Sequence, residues 1–164
     1  MKKTTAAVVT LAIVLSSIFS VALATTYTKF SKDFMKNFKD CDKYEETINS
    51  EYEGKSFTTS RKIIGWRNGF CKYEEVVKSA DGAYKLNCSL SSIQVEELYL
   101  AMKNRSKEPE KFDLELFTEQ KDLKTGKVKY VNTGVRTIKG NKAYITWAKY
   151  QNNPYFCTPQ KLSK

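Results

Sequence analysis

The sequence predicts an exported α+β domain: an N-terminal helix, a three-stranded antiparallel meander, a second helix and further C-terminal strands, stapled by two disulfides. Three observations carry this. Asn68-Gly69 and Asp81-Gly82 are dipeptides that tolerate the positive φ angles of tight hairpin turns, and two such turns imply three strands between Gly54 and Leu90. Ser91 and Gln94 form a capping box ahead of an apolar helical stripe. Four cysteines, Cys41, Cys71, Cys88 and Cys157, form an even set that reads as two bridges in an oxidising compartment.

In chain order, Lys2 and Lys3 precede an apolar run that ends in Ala22-Leu23-Ala24, the pattern of a secretory signal peptide over residues 1–24. The Met-Lys-Lys start looks bacterial, so the expected location is secreted or periplasmic. Removing 24 of the 164 residues leaves 140, expected as one domain over residues 25–164, and lowers the formal charge from +10 to +8 because two lysines leave with the leader. Phe30-Ser31 then opens a helix with Ser31 as cap, Phe30 placed to staple onto Met35, and Phe34, Phe38 and Cys41 on one face. This helix is expected to end by Glu46, with Thr47 to Gly54 as a polar connector.

In the meander, a two-residue Asn68-Gly69 loop pairs Trp66 with Cys71, Ile64 with Tyr73 and Lys62 with Glu75. The second turn pairs Ala80 with Ala83, Val77 with Leu86, Glu75 with Cys88 and Tyr73 with Leu90. Opposed residues share a face. Ile64, Trp66, Cys71, Tyr73, Val77, Tyr84, Leu86, Cys88 and Leu90 therefore form one apolar side, with Lys62 and Glu75 as its exceptions unless a bulge shifts the register. This register sets Cys71 and Cys88 on the order of 13 Å apart, beyond bridging reach. Cys41 should join one of them and Cys157 the other. A four-thiolate zinc site finds no C-x₂-C pair to support it.

The second helix carries Val95, Leu98, Tyr99 and Met102 inward and runs to about Asn104. Phe112, Leu114 and Leu116 alternate as a strand, followed by a loop at Lys124 to Lys127 and a return over Val128 to Val131. Lys139 to Lys142 fits a strand turn, and Asn141 equally fits the cap of a helix over Lys142 to Tyr150. Asn152 to Pro159 reads as a loop held by Cys157.

The chain contains no histidine, which removes the commonest general base and metal ligand and with them Ser-His-Asp and Cys-His catalysis. There is no P-loop, no G-x-S-x-G, no dinucleotide fingerprint and no acidic calcium loop. No catalytic residue, cofactor or metal ligand is assigned. Glu74 and Glu75 are adjacent, but neighbouring strand residues face opposite ways and cannot converge on one substrate. The directional feature is charge. Gly54 to Ser79 carries six basic and two acidic residues, and Lys111 to Lys164 eleven and four.

Such an excess serves solubility, or attracts an anionic polymer or an acidic protein. The four arginines are scattered, and no specific nucleic-acid motif is present. The function expected is a small non-enzymatic binding or interaction protein, contacting an anionic envelope component or another protein. Its candidate contact residues are Arg67 and Asn68 at the first turn, and Lys121, Lys124, Lys127 and Lys129 in the C-terminal loop. Trp66 is expected in the core. The alternative is a histidine-free secreted hydrolase acting on a glycan or phosphodiester through paired carboxylates.

Overall fold

A computed structural model describes residues 26, 28–52, 54–106 and 108–162. The expected signal peptide lies outside the described residues. The elements run α1 (Lys32–Asp40), β1 (Tyr44–Tyr52), β2 (Lys55–Arg67), β3 (Phe70–Ser79), β4 (Gly82–Leu90), α2 (Ser92–Lys103), β5 (Glu110–Lys121), β6 (Val128–Gly140), α3 (Lys142–Gln151) and β7 (Cys157–Leu162). Five strands form one antiparallel sheet in the order β1-β2-β3-β4-β7, and β5 with β6 makes a separate hairpin.

The first helix begins as its cap dictates: Ser31 Oγ accepts the Phe34 N–H at 2.9 Å. It ends earlier than the expected Glu46. Cys41 takes the left-handed conformation at φ 56°, its N–H reaching back to the Phe38 carbonyl, and its sulfur is bonded to Cys71. The chain then enters β1, so the segment expected as helix end and connector is a strand and the meander has four strands, not three. Tyr44 faces Ile63, Glu46 faces Arg61 and Ile48 faces Thr59. Four of the nine β1 residues, Glu45, Glu46, Asn49 and Glu51, are charged or amide side chains, and that polarity conceals the strand's period.

A bulge between Ile63 and Gly65 corrects the expected β2 register. Trp66 opposes Cys71 as expected, but beyond the bulge Ile63, not Ile64, faces Tyr73, and Arg61, not Lys62, faces Glu75. Gly65 permits the bulge at φ 104°, a conformation costly for a side chain. The second turn is closed by Ser79 and Gly82, so Val77 pairs with Tyr84 and Tyr73 with Cys88, two residues from the expected register. The slip leaves the faces unchanged and brings Cys88 opposite Tyr73, two residues rather than four from Cys71, which itself faces Leu90. The bridges are Cys41–Cys71 and Cys88–Cys157.

The capping box of α2 is present: Ser91 N–H donates to Gln94 Oε1 at 2.7 Å and Gln94 N–H to Ser91 Oγ at 3.4 Å. Of the two readings at Lys142 to Tyr150 the helix is found, with Asn141 Oδ1 accepting the Tyr144 N–H at 3.1 Å. The same amide accepts the Thr28 N–H and donates to the Thr28 carbonyl, tying the N-terminal segment to this cap. The strand expected over Val128 to Val131 continues unbroken to Gly140, and the expected loop through Pro159 becomes strand from Cys157 onward.

Phe34 and Phe38 from α1, Val95 and Leu98 from α2, and Trp147 and Tyr150 from α3 bury against Ile63, Tyr73, Cys88 and Leu90 of the sheet. Phe30 stacks on Phe34 and on Trp147. The other side of α3, through Ile145 and Ala148, packs on Phe112 and Ile138 at the base of the β5–β6 hairpin. A two-stranded hairpin is marginal alone, and this contact anchors it to the body.

Candidate functional site

The first turn has the expected geometry, with Asn68 at φ 52° and Gly69 at φ 77°. Its flanking aromatics correct the sequence reading. Trp66 is 41% exposed and Phe70 43%; beyond the bulge Ile63 takes the core place opposite Tyr73 while Trp66 sits at the rim. The rim position is held, since Trp66 Nε1–H donates to the Asp40 carbonyl at 3.0 Å and Cys71 is bonded to Cys41. Arg67 is exposed at the turn and donates to the Trp66 carbonyl at 3.2 Å. The Lys72 ammonium lies 5.6 Å from the Phe70 ring centroid and donates to Ser89 Oγ at 2.7 Å. Beside the turn lies a shallow depression lined by Lys43, Glu45, Lys62, Ile64 and Arg67, among others.

The second candidate segment is the tip of the β5–β6 hairpin, where Lys121, Lys124, Lys127 and Lys129 are all exposed. Asp122 organises it. Its Oδ1 accepts the N–H groups of Lys124 and Thr125 at 2.8 and 2.9 Å, which holds its carboxyl below the usual carboxylate range. Its own N–H donates to the Lys127 carbonyl. The loop is thus closed on itself, and its lysines project outward.

Topology brings these two segments toward one end of the molecule. The β2–β3 turn, the junction of β4 with α2 (Cys71 opposite Leu90) and the loop entering β7 (Cys88 opposite Cys157) share one end of the sheet. Ser89 N–H donates to the Phe156 carbonyl at 2.8 Å, fixing that loop there. Tyr155, in the same loop, meets Tyr130 edge-on at 6.1 Å between centroids. Tyr130 follows Lys129 and opposes Glu119, so the lysine-bearing part of the hairpin leans toward the end that carries Arg67. The sequence held no signal for this, because it depends on a ring contact between segments with no shared period.

The carboxylates separate as strand geometry requires. Glu74 pairs with Lys85 on the outer face, and Glu75 points inward. The converging pair is Glu46 with Glu75, which sequence reasoning missed because Glu46 lay in a segment read as helix end. Both lie within ion-pair distance of Arg61, at 3.6 and 3.5 Å, with side chains only 11% to 14% exposed. Ser31 donates to Glu46, and Tyr73 and Gln151 donate to Glu75. Arg61 also stacks over Phe30, 4.6 Å from its centroid. Burial, with the Glu75 carboxylate beside it, pushes the Tyr73 phenol well above its usual range.

Glu97 of α2 accepts from Tyr150 and Lys149 across the helix interface. The Tyr150 hydrogen bond holds its carboxyl low. Among the described residues, no group of carboxylates and cysteines is arranged to hold a metal ion, and no helix is long and apolar enough to cross a membrane. No protein-family model, curated protein or solved structure matches the chain.

Proposed function

We propose that this chain is a small exported binding protein, without catalytic activity, that engages an anionic partner through the end of the sheet bearing Arg67, Asn68 and the lysine-tipped hairpin. The carrying observation is the Tyr130–Tyr155 contact, which ties the lysine-bearing hairpin to the loop entering β7, at the end of the sheet where the β2–β3 turn also lies. Two basic segments 50 or more residues apart in sequence thereby add their fields over one surface, the arrangement that steers and holds a polyanion. The two disulfides fit an oxidising compartment, and Cys41–Cys71 keeps the turn's base in one geometry. The hydrolase reading requires carboxylates converging on an open cleft. Glu46 and Glu75 instead lie mostly buried on either side of Arg61 at ion-pair distance, with Ser31 donating to Glu46 and Tyr73 and Gln151 to Glu75.

The test is elution of the disulfide-intact protein from immobilised heparin against a neutral matrix. Retention should weaken linearly in log salt, and K124E/K127E and R67E should each lower both the eluting salt and the slope. Retention equal to that on the neutral matrix, or unaffected by either variant, overturns the proposal.

A further inference from the structure

We infer that this end of the sheet docks on an anionic lipid surface, with Trp66, Phe70 and Ile93 entering the interfacial layer and Arg67 and Lys72 meeting headgroup phosphates. The inference rests on the binding reading above and names the partner's chemical class. Phe70 precedes Cys71, which opposes Leu90, and three residues beyond Leu90 Ile93 stands 75% exposed in the first turn of α2. Tyr155, 72% exposed, flanks the same end. Trp66 and Phe70 occupy opposite faces of the hairpin tip, so the tip, with Ile93 and Tyr155 at the same end of the sheet, presents exposed apolar side chains on more than one side, the mark of a contact surface.

Three features favour a bilayer over a folded protein. The apolar groups protrude from a hairpin turn, a helix start and a loop, and none of them lines the shallow depression beside the turn. Protein hot spots fill complementary, desolvated pockets, whereas a fluid interface accepts a convex tip. Second, cations accompany the aromatics: from Lys62 to Tyr73 the chain carries Lys62, Arg67 and Lys72 and no carboxylate. Asp40 and Asp42 at the end of α1 are flanked by Lys39 and Lys43. Such clusters are drawn to the negative surface potential of anionic leaflets. Third, the Trp66 indole N–H is already bonded to the Asp40 carbonyl. The ring can enter an apolar layer without stranding a donor.

The chain supplies its own probe. It has two tryptophans, and Trp147 is 4% exposed in the core, so a lipid-dependent change in fluorescence reports Trp66. The protein is titrated with phosphatidylcholine vesicles with and without phosphatidylglycerol, including bromine-labelled lipid as a contact quencher, and in parallel with soluble heparin. Anionic vesicles should give co-sedimentation, a blue shift and bromine quenching that W66F abolishes. F70S and I93S should each weaken vesicle partition about tenfold, and I93S, which lies outside the basic turn, should leave heparin elution unchanged. Heparin binding without vesicle binding or quenching overturns the lipid inference and leaves the binding proposal standing. Binding to neither overturns both. An acidic protein partner captured in a Phe70-dependent manner, with no vesicle binding, also overturns it.

Discussion

Replacing Arg61 with methionine should destabilise the fold by about 3–5 kcal/mol, the usual consequence of stranding buried charge. The guanidinium sits 3.6 Å from Glu46 and 3.5 Å from Glu75, and the three side chains are 11% to 14% exposed. At an effective dielectric near 20 each contact is worth roughly 4–5 kcal/mol before desolvation. Removing the cation leaves two facing carboxylates with no counter-charge. The stack on Phe30 is lost as well. The assay is guanidinium unfolding with both disulfides intact, followed by fluorescence of Trp147 in the core. The matched control is Lys62→Met, which breaks only the pair with Glu45, a surface contact whose side chains are 51% and 55% exposed; it should cost under about 1 kcal/mol. The two variants also test the bulge, since an unbulged register would place Lys62 opposite Glu75. An Arg61 variant within about 1 kcal/mol of the parent, or a Lys62 variant costing more than the Arg61 one, would refute the reasoning.

Asn141→Ala should cost about 1–2 kcal/mol in the same assay, because it removes the α3 cap and both bonds to Thr28; a cost below a few tenths would mean the cap is dispensable. The bridges span 30 and 69 residues, so removing Cys41–Cys71 by paired serines should cost about 3.5 kcal/mol and removing Cys88–Cys157 about 4.5. Peptide mapping without reductant should recover these two pairs and no Cys71–Cys88 species. Alkaline pH should also destabilise the fold. Burial, then the Glu97 hydrogen bond, raises the Tyr150 phenol, and burial raises Tyr73. Folded-state pKa values above the ordinary ~10 contribute stability that is complete below that pH and lost as pH climbs toward the raised values. Stability should therefore fall above about pH 10, less steeply in Tyr150→Phe; an unchanged slope would contradict the assignment.

Features written in local chemistry were legible before the structure. The Ser91–Gln94 box, the Asn68-Gly69 turn and the Ser31 cap each involve residues within a few positions of one another, and all three are found. The exclusion of a Cys71–Cys88 bridge followed from their offset along the strands, while the choice of partner for Cys41 was open until the sheet placed Cys157 opposite Cys88. The rest depended on tertiary context. The β1 strand is polar because it forms a sheet edge and because Glu46 is neutralised by a residue from β2. The Gly65 bulge trades one β2 residue for its neighbour, which moves Arg61 inward, gives Ile63 the core place and leaves Trp66 at the rim. At the candidate site, the individual basic residues could be named from charge alone. The contact of the lysine-bearing hairpin with the loop entering β7 could not, because it rests on Tyr130 meeting Tyr155.

Amide hydrogen exchange with saturating heparin tests the central claim most directly, because it asks whether the two basic segments act as one surface. The account predicts that residues 66–70 and 121–130 gain protection together, while the outer strand β1 and the loop at residues 104–106 do not change. Protection confined to one of the two segments, or appearing elsewhere on the molecule, would contradict it.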